Sequence, residues 1–167
     1  MIAKSLVLIG FKHAGKTTIG QQLAEVLDVD FIDTDAVLLE KSGFRHIREL
    51  YQAVGEKDFR LMETNILKNI SFDQLRVIAT GGGTISNLKN HFYIKQGFVL
   101  FIDTPFEIIY KRLQNNTYLG QTINNVDLLT LYNNRLEEYL ALADYHFKPQ
   151  EMNLDALIEW LAENCIA

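Results

Sequence analysis

The feature that most constrains this chain is the run at residues 10–17, GFKHAGKT, which fits the spacing G-x-x-x-x-G-K-[ST]. It follows the apolar stretch 6–9 and precedes a helical pattern. In that context the backbone N–H groups of the loop and of the helix's first turn converge on an anion. Lys16 adds a charge for terminal phosphates, and the Thr17 hydroxyl can ligate Mg²⁺. The alternative is a glycine turn that carries Lys-Thr by chance.

The prediction of a phosphate site extends over the whole loop and the start of the helix. The residues expected to hold the phosphate-bearing ligand are Lys12, His13, Ala14, Gly15, Lys16, Thr17 and Thr18.

Composition narrows the setting. The chain has 167 residues, a length typical of one domain, and a formal net charge of −5. That charge does not indicate a nucleic-acid or anionic-membrane surface, so an anionic ligand has to be held by a local cluster of donors. The single cysteine, Cys165, excludes an internal disulfide and a four-thiolate zinc site and agrees with a reducing cytoplasm. No stretch approaches the roughly twenty apolar residues of a membrane span. We expect a cytoplasmic protein without a membrane partner.

Short apolar runs alternate with helical patterns along the chain. Strands are predicted at 5–9, from 31 into Asp33-Thr34-Asp35, at 76–80, at 97–103 and at 145–147. Helices are predicted after residue 17, in two segments after Asp35 of which the second is 57–70, from Pro105, at 126–143 and at 154–161. The alternation predicts an α/β fold with a parallel sheet covered on both faces, which binds ligands beyond the carboxyl ends of its strands.

The first of these helices shows a clear apolar face. We expect Ile19, Leu23, Val26 and Leu27 to lie on this one face, because they follow the 3.6-residue period of a helix.

The second predicted strand ends in Asp33-Thr34-Asp35, which places two carboxylates at the expected ligand-binding edge. Residues two apart at a strand end project to the same side. One carboxylate can therefore face Mg²⁺, which prefers oxygen ligands, while the other orients an alcohol or accepts its proton. The alternative is that these aspartates cap the next helix. The phosphate-binding loop upstream favours the functional interpretation.

Two further groups lie downstream. Arg60 and Glu63 share one helix face, where they can pair. Such a pair is most often a solvated surface salt bridge, whereas a functional version has Glu63 hold the guanidinium against a substrate carboxylate. The spacing leaves both interpretations open.

Gly81, Gly82 and Gly83 follow the third strand and either form a tight turn or allow a ligand to approach the backbone closely.

Together these motifs resemble the shikimate kinases, small P-loop enzymes of aromatic amino-acid biosynthesis. The matching stretches run in the family's order over nearly the whole chain. They are 10–17, 31–35, Gly55-Glu56 with Phe59-Arg60-x-x-Glu63, 78–83, Arg112, and Arg135 ahead of Tyr139 and Ala143-Asp144. The resemblance implies a three-layer α/β/α P-loop kinase fold with a central five-stranded parallel sheet and a small helical lid. It also implies a monomer with one domain over 1–167, a lid near 113–125 and a shikimate-binding helical region near 36–64.

The resemblance further implies that ATP, with Mg²⁺, phosphorylates the 3-hydroxyl of shikimate in chorismate biosynthesis. By that analogy Asp35 activates the hydroxyl and Lys16 stabilises phosphoryl charge. Arg60 and Arg135 grip the shikimate carboxylate. Glu63 is implied to hold Arg60 in place. Gly81, Gly82 and Gly83 are implied to surround shikimate, with the Gly82 N–H as a donor. Arg112 is implied to stack on adenine, Thr17 to bind the metal directly and Asp33 to reach it through water.

Two positions depart from the family pattern. The family carries Arg-Pro seven residues after the adenine-stacking arginine, but here that register gives Leu119-Gly120, and no arginine occurs between Arg112 and Arg135. Lys12 and Lys111 are candidates to supply part of the missing charge, although a lysine does not reproduce a bidentate guanidinium.

His13 is the second departure, since it stands where the family usually has glycine. Its side chain either crowds the loop or contacts the nucleotide.

We expect an active shikimate kinase. The alternatives are a kinase of another small hydroxy-carboxylate and a nucleotide-binding regulatory module with impaired catalysis.

Overall fold

The computed structural model describes residues 4–115 and 125–166 and shows an α/β protein. Within them the strands are β1 Leu6–Ile9, β2 Phe31–Asp33, β3 Val77–Ala79, β4 Phe98–Ile102 and β5 Tyr145–Phe147. The helices are α1 Lys16–Leu27, α2 Thr34–Ser42, α3 Ile47–Lys68, α4 Leu88–Ile94, α5 Phe106–Gln114, α6 Asn125–Leu142 and α7 Leu154–Leu161. A 3₁₀ turn, Thr84–Ser86, precedes α4, and a π-helical turn, Ala162–Ile166, follows α7.

The strands form one parallel sheet in the order β2-β3-β1-β4-β5. Leu6 of β1 pairs with Val77 of β3 on one side and with Phe98 of β4 on the other. All residues of β1 and β3 are buried, as expected for parallel strands with both faces covered. The prediction of a five-stranded parallel sheet is therefore confirmed.

The strand order positions the site. From β1 the chain crosses to β2 at one edge, and from β3 it crosses to β4 on the far side of β1. The carboxyl end of β1 is thus the point where the strand order reverses, and open α/β sheets bind ligands there. Three predicted site segments follow neighbouring strands at this edge: residues 10–17 after β1, Asp35 after β2 and residues 81–83 after β3.

The boundaries of β2 and α3 differ most from the prediction. Thr34 and Asp35 begin α2 instead of ending β2, because Asp33 Oδ1 caps the helix by accepting from the N–H groups of Asp35 at 2.9 Å and Ala36 at 3.3 Å. The helix predicted at 57–70 is the second part of α3. That helix begins earlier and bends at Gly55, where φ is 80° and ψ is 166°, a conformation that glycine adopts readily.

The short helix α4 has no counterpart in the prediction, because seven residues give little periodicity. Its local signal is Asn87, whose side chain accepts a hydrogen bond from the Lys89 N–H at 3.1 Å and caps the helix. The helix matters for the site, since it places Asn90 in the protein interior.

The core consists of a large apolar cluster around the sheet and a smaller one between α2 and α3, formed by Leu38, Leu50, Phe59 and Ile66. The apolar face of α1 is not buried throughout, because the side chain of Val26 is 58% exposed while Leu23 is fully buried. The buried stripe of α1 passes through Gly20, Leu23 and Ala24, and Val26 lies to one side of it. Within residues 4–115 and 125–166, no helix is long and apolar enough to cross a membrane.

These two α1 positions give a stability prediction. Leu23→Ala should lower the free energy of unfolding by about 2–5 kcal/mol, because it leaves a cavity in the core. Val26→Ala should change it by less than about 0.5 kcal/mol, since the valine is exposed and alanine favours helix. Urea unfolding followed by circular dichroism measures both. Equal losses at the two positions would contradict the solvent-facing placement of Val26.

Candidate active site

The loop between β1 and α1 folds around its own lysine. Lys16 is buried, and its Nζ donates to the carbonyl oxygens of Gly10 at 2.7 Å and Phe11 at 2.8 Å. Burial lowers the pKa of Lys16 to about 8, although the nearby charges of Asp35 and Asp33 act in the opposite direction. The ammonium is thus held at the centre of the loop and stays charged at neutral pH.

The conformation of the loop depends on positive φ angles at Gly10, His13 and Gly15, which are 151°, 60° and 106°. The left-handed region disfavours a side chain by roughly 1–2 kcal/mol, which explains why glycine suits position 13. Here the His13 carbonyl accepts from Arg112 Nη1 at 2.8 Å, and this bond fixes the peptide. The imidazole lines the ligand pocket. Burial and then the charge of Lys12 lower the pKa of His13, so the ring is neutral at pH 7.

A pocket of about 650 Å³ opens above the loop. All of residues 12–18 line it, together with Asp33, Asp35, Gly82 and Arg112, so the predicted phosphate and metal residues come together. Thr80, Pro149 and Ile19 also line it and were not predicted. Thr80 and Pro149 follow β3 and β5 at the carboxyl edge of the sheet, and that position is the signal that could have identified them.

Thr17 and Asp33 form a pair of oxygen donors at the N-terminus of α1, where Thr17 Oγ1 donates a hydrogen bond to Asp33 Oδ2 at 2.8 Å. Because Oδ1 caps α2 and Oδ2 accepts from Thr17, each oxygen of Asp33 has its own partner; the capping interpretation is confirmed, and the metal-facing one stays a prediction. Hydroxyl and carboxylate oxygens are the donors that Mg²⁺ prefers. Among the described residues, no cluster of three or more His, Cys, Asp or Glu could hold a metal. A magnesium ion here therefore needs further oxygens from a nucleotide and from water.

Asp35 faces the same pocket from the first turn of α2. A Cβ placed on Gly81 would lie 2.7 Å from Asp35 Oδ1 and 3.0 Å from Glu63 Oε1, so the two carboxylates meet beside a residue that has no side chain. Burial raises the pKa of Asp35 to about 6; the charges of Asp33 and Glu63 add to this, and Lys16 opposes it. Such a carboxylate is ionised at pH 7 and is a stronger base than an ordinary aspartate.

Arg60 and Glu63 form an ion pair inside the protein. Arg60 Nη1 donates to Glu63 Oε2 at 2.7 Å, and the two side chains are 17% and 2% exposed. The guanidinium lies against Gly83, where a Cβ would come within 2.6 Å of Nη2. The Nε of Arg60 is buried and has no hydrogen-bond partner among the described residues. This pair is therefore not the solvated surface bridge that the spacing also allowed.

Thr84 and Asn90 support this ion pair, and the sequence analysis did not identify them. Thr84 Oγ1 donates to Glu63 Oε1 at 2.6 Å, and Asn90 Nδ2 donates to the Thr84 carbonyl at 2.8 Å. All three residues are buried. The sequence signal was slight: Thr84 directly follows the three glycines.

Helix α6 carries Arg135 and Tyr139 to the region of Phe11 and the glycine segment. Its guanidinium carbon lies 5.5 Å from the centre of the Phe11 ring, and its Nε is buried without a hydrogen-bond partner among the described residues. One turn later, Tyr139 donates its hydroxyl to the Gly82 carbonyl at 2.5 Å. Two arginines thus lie beside residues 81–83 and offer planar donors suited to a carboxylate.

The predicted site residues form two groups that meet at Asp35 and Gly82. The phosphate pocket holds the loop and the oxygen pair, while the residues around the glycine segment lie beside it. This second group consists of Arg60, Glu63, Gly81, Gly83 and Arg135. The predicted lid positions Leu119 and Gly120 lie outside the described residues.

The site combines a nucleotide-binding P-loop, the Thr17–Asp33 oxygen pair and an adjacent carboxylate of raised pKa. These features together define the class of P-loop kinases that act on small molecules. A family model described as shikimate kinase matches residues 12–165. The shikimate kinase of Caldicellulosiruptor bescii is 36% identical over 165 residues, which cover 95% of this chain and 91% of that one. The shikimate kinase of Synechococcus elongatus is 37% identical over 142 residues, with 83% and 74% covered.

A solved structure agrees with these sequence relatives. Shikimate kinase from Acinetobacter baumannii in complex with shikimate matches with a TM-score of 0.82 at 30% identity, covering 96% of this chain and 91% of that one. This chain belongs to the shikimate kinase family and is an ATP-dependent small-molecule kinase.

The buried charge of Asp35 gives a prediction for stability. Asp35→Asn should raise the free energy of unfolding at pH 8, because burial penalises the ionised carboxylate in the folded state. Its folded pKa of about 6 exceeds the ordinary 3.8. The penalty is therefore complete above pH 6 and shrinks as the pH falls towards 4, where folded Asp35 is protonated.

Urea unfolding at pH 8 and at pH 5 measures this effect. Asp58→Asn, at an exposed position of α3, is the matched control and should change the free energy of unfolding by less than about 0.5 kcal/mol. An Asp35→Asn variant less stable than wild type at pH 8 would show that the carboxylate is not penalised.

Proposed function

We propose that this protein transfers the γ-phosphoryl group of ATP to the 3-hydroxyl of shikimate, which yields shikimate 3-phosphate and ADP. The observation that carries the proposal is the position of Asp35, which lines the phosphate pocket and meets Glu63 at Gly81. One carboxylate thus borders both the donor site and the arginines beside it. The A. baumannii relative is a complex with shikimate, which supports this choice of acceptor.

In this proposal Arg60 and Arg135 bind the carboxylate of the acceptor. Each has a buried Nε without a hydrogen-bond partner among the described residues, and a guanidinium binds a carboxylate through two parallel hydrogen bonds. Glu63 fixes the orientation of Arg60. Gly81, Gly82 and Gly83 have no side chains to block the ring of the acceptor, and the Gly82 N–H donates to it.

Asp35 accepts the proton of the 3-hydroxyl as the hydroxyl oxygen forms a bond to the γ-phosphorus. The bond from that phosphorus to the β–γ bridging oxygen breaks, and ADP leaves with the electron pair. Lys16 and the N–H groups of the loop stabilise the charge on the phosphoryl oxygens. Thr17 and Asp33 would hold Mg²⁺, which neutralises phosphate charge when bound. Arg112, beside His13, stacks on adenine.

The rest of the assignment follows from this function. We assign residues 36–64 to acceptor binding and 113–125 to the lid of a single domain spanning 1–167. The monomeric state and the cytoplasmic location stay predictions.

Turnover and its dependence on Asp35 test the proposal. With Mg²⁺ and ATP, the purified protein should release ADP when shikimate is added. Asp35→Asn should lower kcat by about 10²–10⁴-fold, because it removes the proton acceptor. Its affinity for ATP should change little, since the loop is intact. A coupled ADP assay and a nucleotide titration measure the two effects.

The outcomes separate the alternatives. ATP binding without turnover on any hydroxy acid would favour a regulatory nucleotide-binding module. Turnover with a different hydroxy-carboxylate, but not with shikimate, would reassign the acceptor. The control Asp58→Asn should behave as wild type.

Glu63→Gln tests the acceptor side. The KM for shikimate should rise about tenfold or more, because the guanidinium loses its charged partner, while the KM for ATP stays constant. The change also removes a charge that raises the pKa of Asp35, so the acid limb of kcat/KM should move to lower pH. Glu40→Gln, at an exposed site on α2, should produce neither effect. An unchanged KM for shikimate in a folded variant would remove Glu63 from acceptor binding.

A further inference from the structure

A phosphoryl group in transfer needs positive charge around it, and the sequence limits where that charge can originate. Residues 113–134 contain neither lysine nor arginine. That whole stretch, which includes all of α6 before Arg135, therefore supplies no permanent cation to the site. Among the described residues, the lysines and arginines that line the phosphate pocket are Lys12, Lys16 and Arg112.

Two of these cations have evident positions. Lys16 lies at the centre of the loop, on the carbonyls of Gly10 and Phe11. Arg112 lies over the turn of the loop, where it donates to the His13 carbonyl. Lys12 remains, and its place in the loop differs from both.

Lys12, with its neighbour Phe11, brings the loop into contact with the glycine segment on the acceptor side. A Cβ on Gly82 would lie 2.7 Å from the backbone nitrogen of Lys12 and 3.3 Å from its Cα, so the two backbones are in direct contact. Tyr139 fixes this part of the glycine segment through the Gly82 carbonyl, and Arg135 packs over the neighbouring ring of Phe11. Lys12 also lines the pocket, so it lies at the boundary between the donor site and the acceptor site.

The charges that act on Lys12 have its own sign. Partial burial lowers the pKa of Lys12, and repulsion from Arg135 and then Arg48 lowers it further. Cations that converge in a folded protein repel one another until an anion offsets them. The cationic side chains of Lys12 and Arg135 are therefore suited to an anionic group near the contact between the loop and Gly82.

We propose that Lys12 is a catalytic residue that contacts the γ-phosphoryl group from the acceptor side during its transfer. The proposal rests on the phosphoryl transfer proposed above and adds a residue to it. As the bond to the β–γ bridging oxygen breaks and the bond to the acceptor oxygen forms, the Lys12 ammonium offsets charge on the non-bridging oxygens. A flexible lysine stem lets this charge follow the group.

A second role for the same ammonium is to bind the acceptor carboxylate together with Arg135, and kinetics distinguish the two. An interaction made only in the transition state lowers kcat when it is removed, whereas one made equally in the ground state raises KM.

Lys12→Met keeps an unbranched side chain and deletes the charge. We expect kcat to fall about 10–100-fold, with the KM values for ATP and shikimate within about threefold of wild type. Lys12→Arg should retain more activity than Lys12→Met. Lys89→Met, which removes an exposed lysine from α4, is the matched control and should leave both parameters unchanged.

A binding measurement supplies a second readout. Mg²⁺, ADP and aluminium fluoride together imitate the phosphoryl group in transfer. Lys12→Met should weaken this complex, with or without shikimate, about as much as it lowers kcat, while ADP alone binds as to wild type.

The two readouts separate this proposal from the proposed function. A raised KM for shikimate with unchanged kcat would overturn the role of Lys12 and place it on the acceptor carboxylate, and unchanged kinetics would overturn it as well. If wild type shows no turnover with shikimate, the proposed function fails. The fluoride complex without shikimate then decides the role of Lys12, and equal affinities of wild type and Lys12→Met would overturn it.

Discussion

The site depends on the close packing of Gly81, Gly82 and Gly83 against three parts of the chain. Oxygens of Asp35 and Glu63 occupy the space that a side chain at Gly81 would need, and the guanidinium of Arg60 does so at Gly83. Gly82 instead touches the backbone of the phosphate-binding loop. A Cβ at any of these positions would displace a charged group or a backbone segment. Because β3 lies between β2 and β1, the sheet carries this segment to the point where the three parts meet.

The electrostatics of the site follow from this packing. The Asp35 carboxylate, an ion pair and a loop of cations share a small volume, and burial shifts the pKa of Asp35 upwards and the pKa of Lys16 downwards. Both shifts oppose the charged forms and therefore lower stability. The ionised Asp35 is nevertheless the form that accepts a proton, so the same burial that destabilises the fold makes the carboxylate a better base. Such trade-offs are common where polar groups are arranged for catalysis.

Much of the fold could be predicted because its signals are local. The apolar runs that became β1, β3 and β4 are nearly continuous, as buried parallel strands require. Errors arose where distant packing decides. By sequence Val26 belongs to the apolar face of α1, but the sheet covers a stripe of this helix that is narrower than the apolar face and leaves Val26 exposed. Thr84 and Asn90 were missed because Thr84 supports a glutamate 21 residues away, and no sequence period links the two.

The sequence by itself determined the phosphate-binding loop, the parallel sheet and the set of charged residues available, since each depends on local spacing or on residue chemistry. Tertiary structure decided the surroundings of each charged residue. It buried the Arg60–Glu63 pair, gave the two oxygens of Asp33 separate partners, and placed Lys12 against Gly82. The physical reason is that burial and the neighbouring charges fix the protonation and orientation of these groups, and residues far apart in the chain provide both.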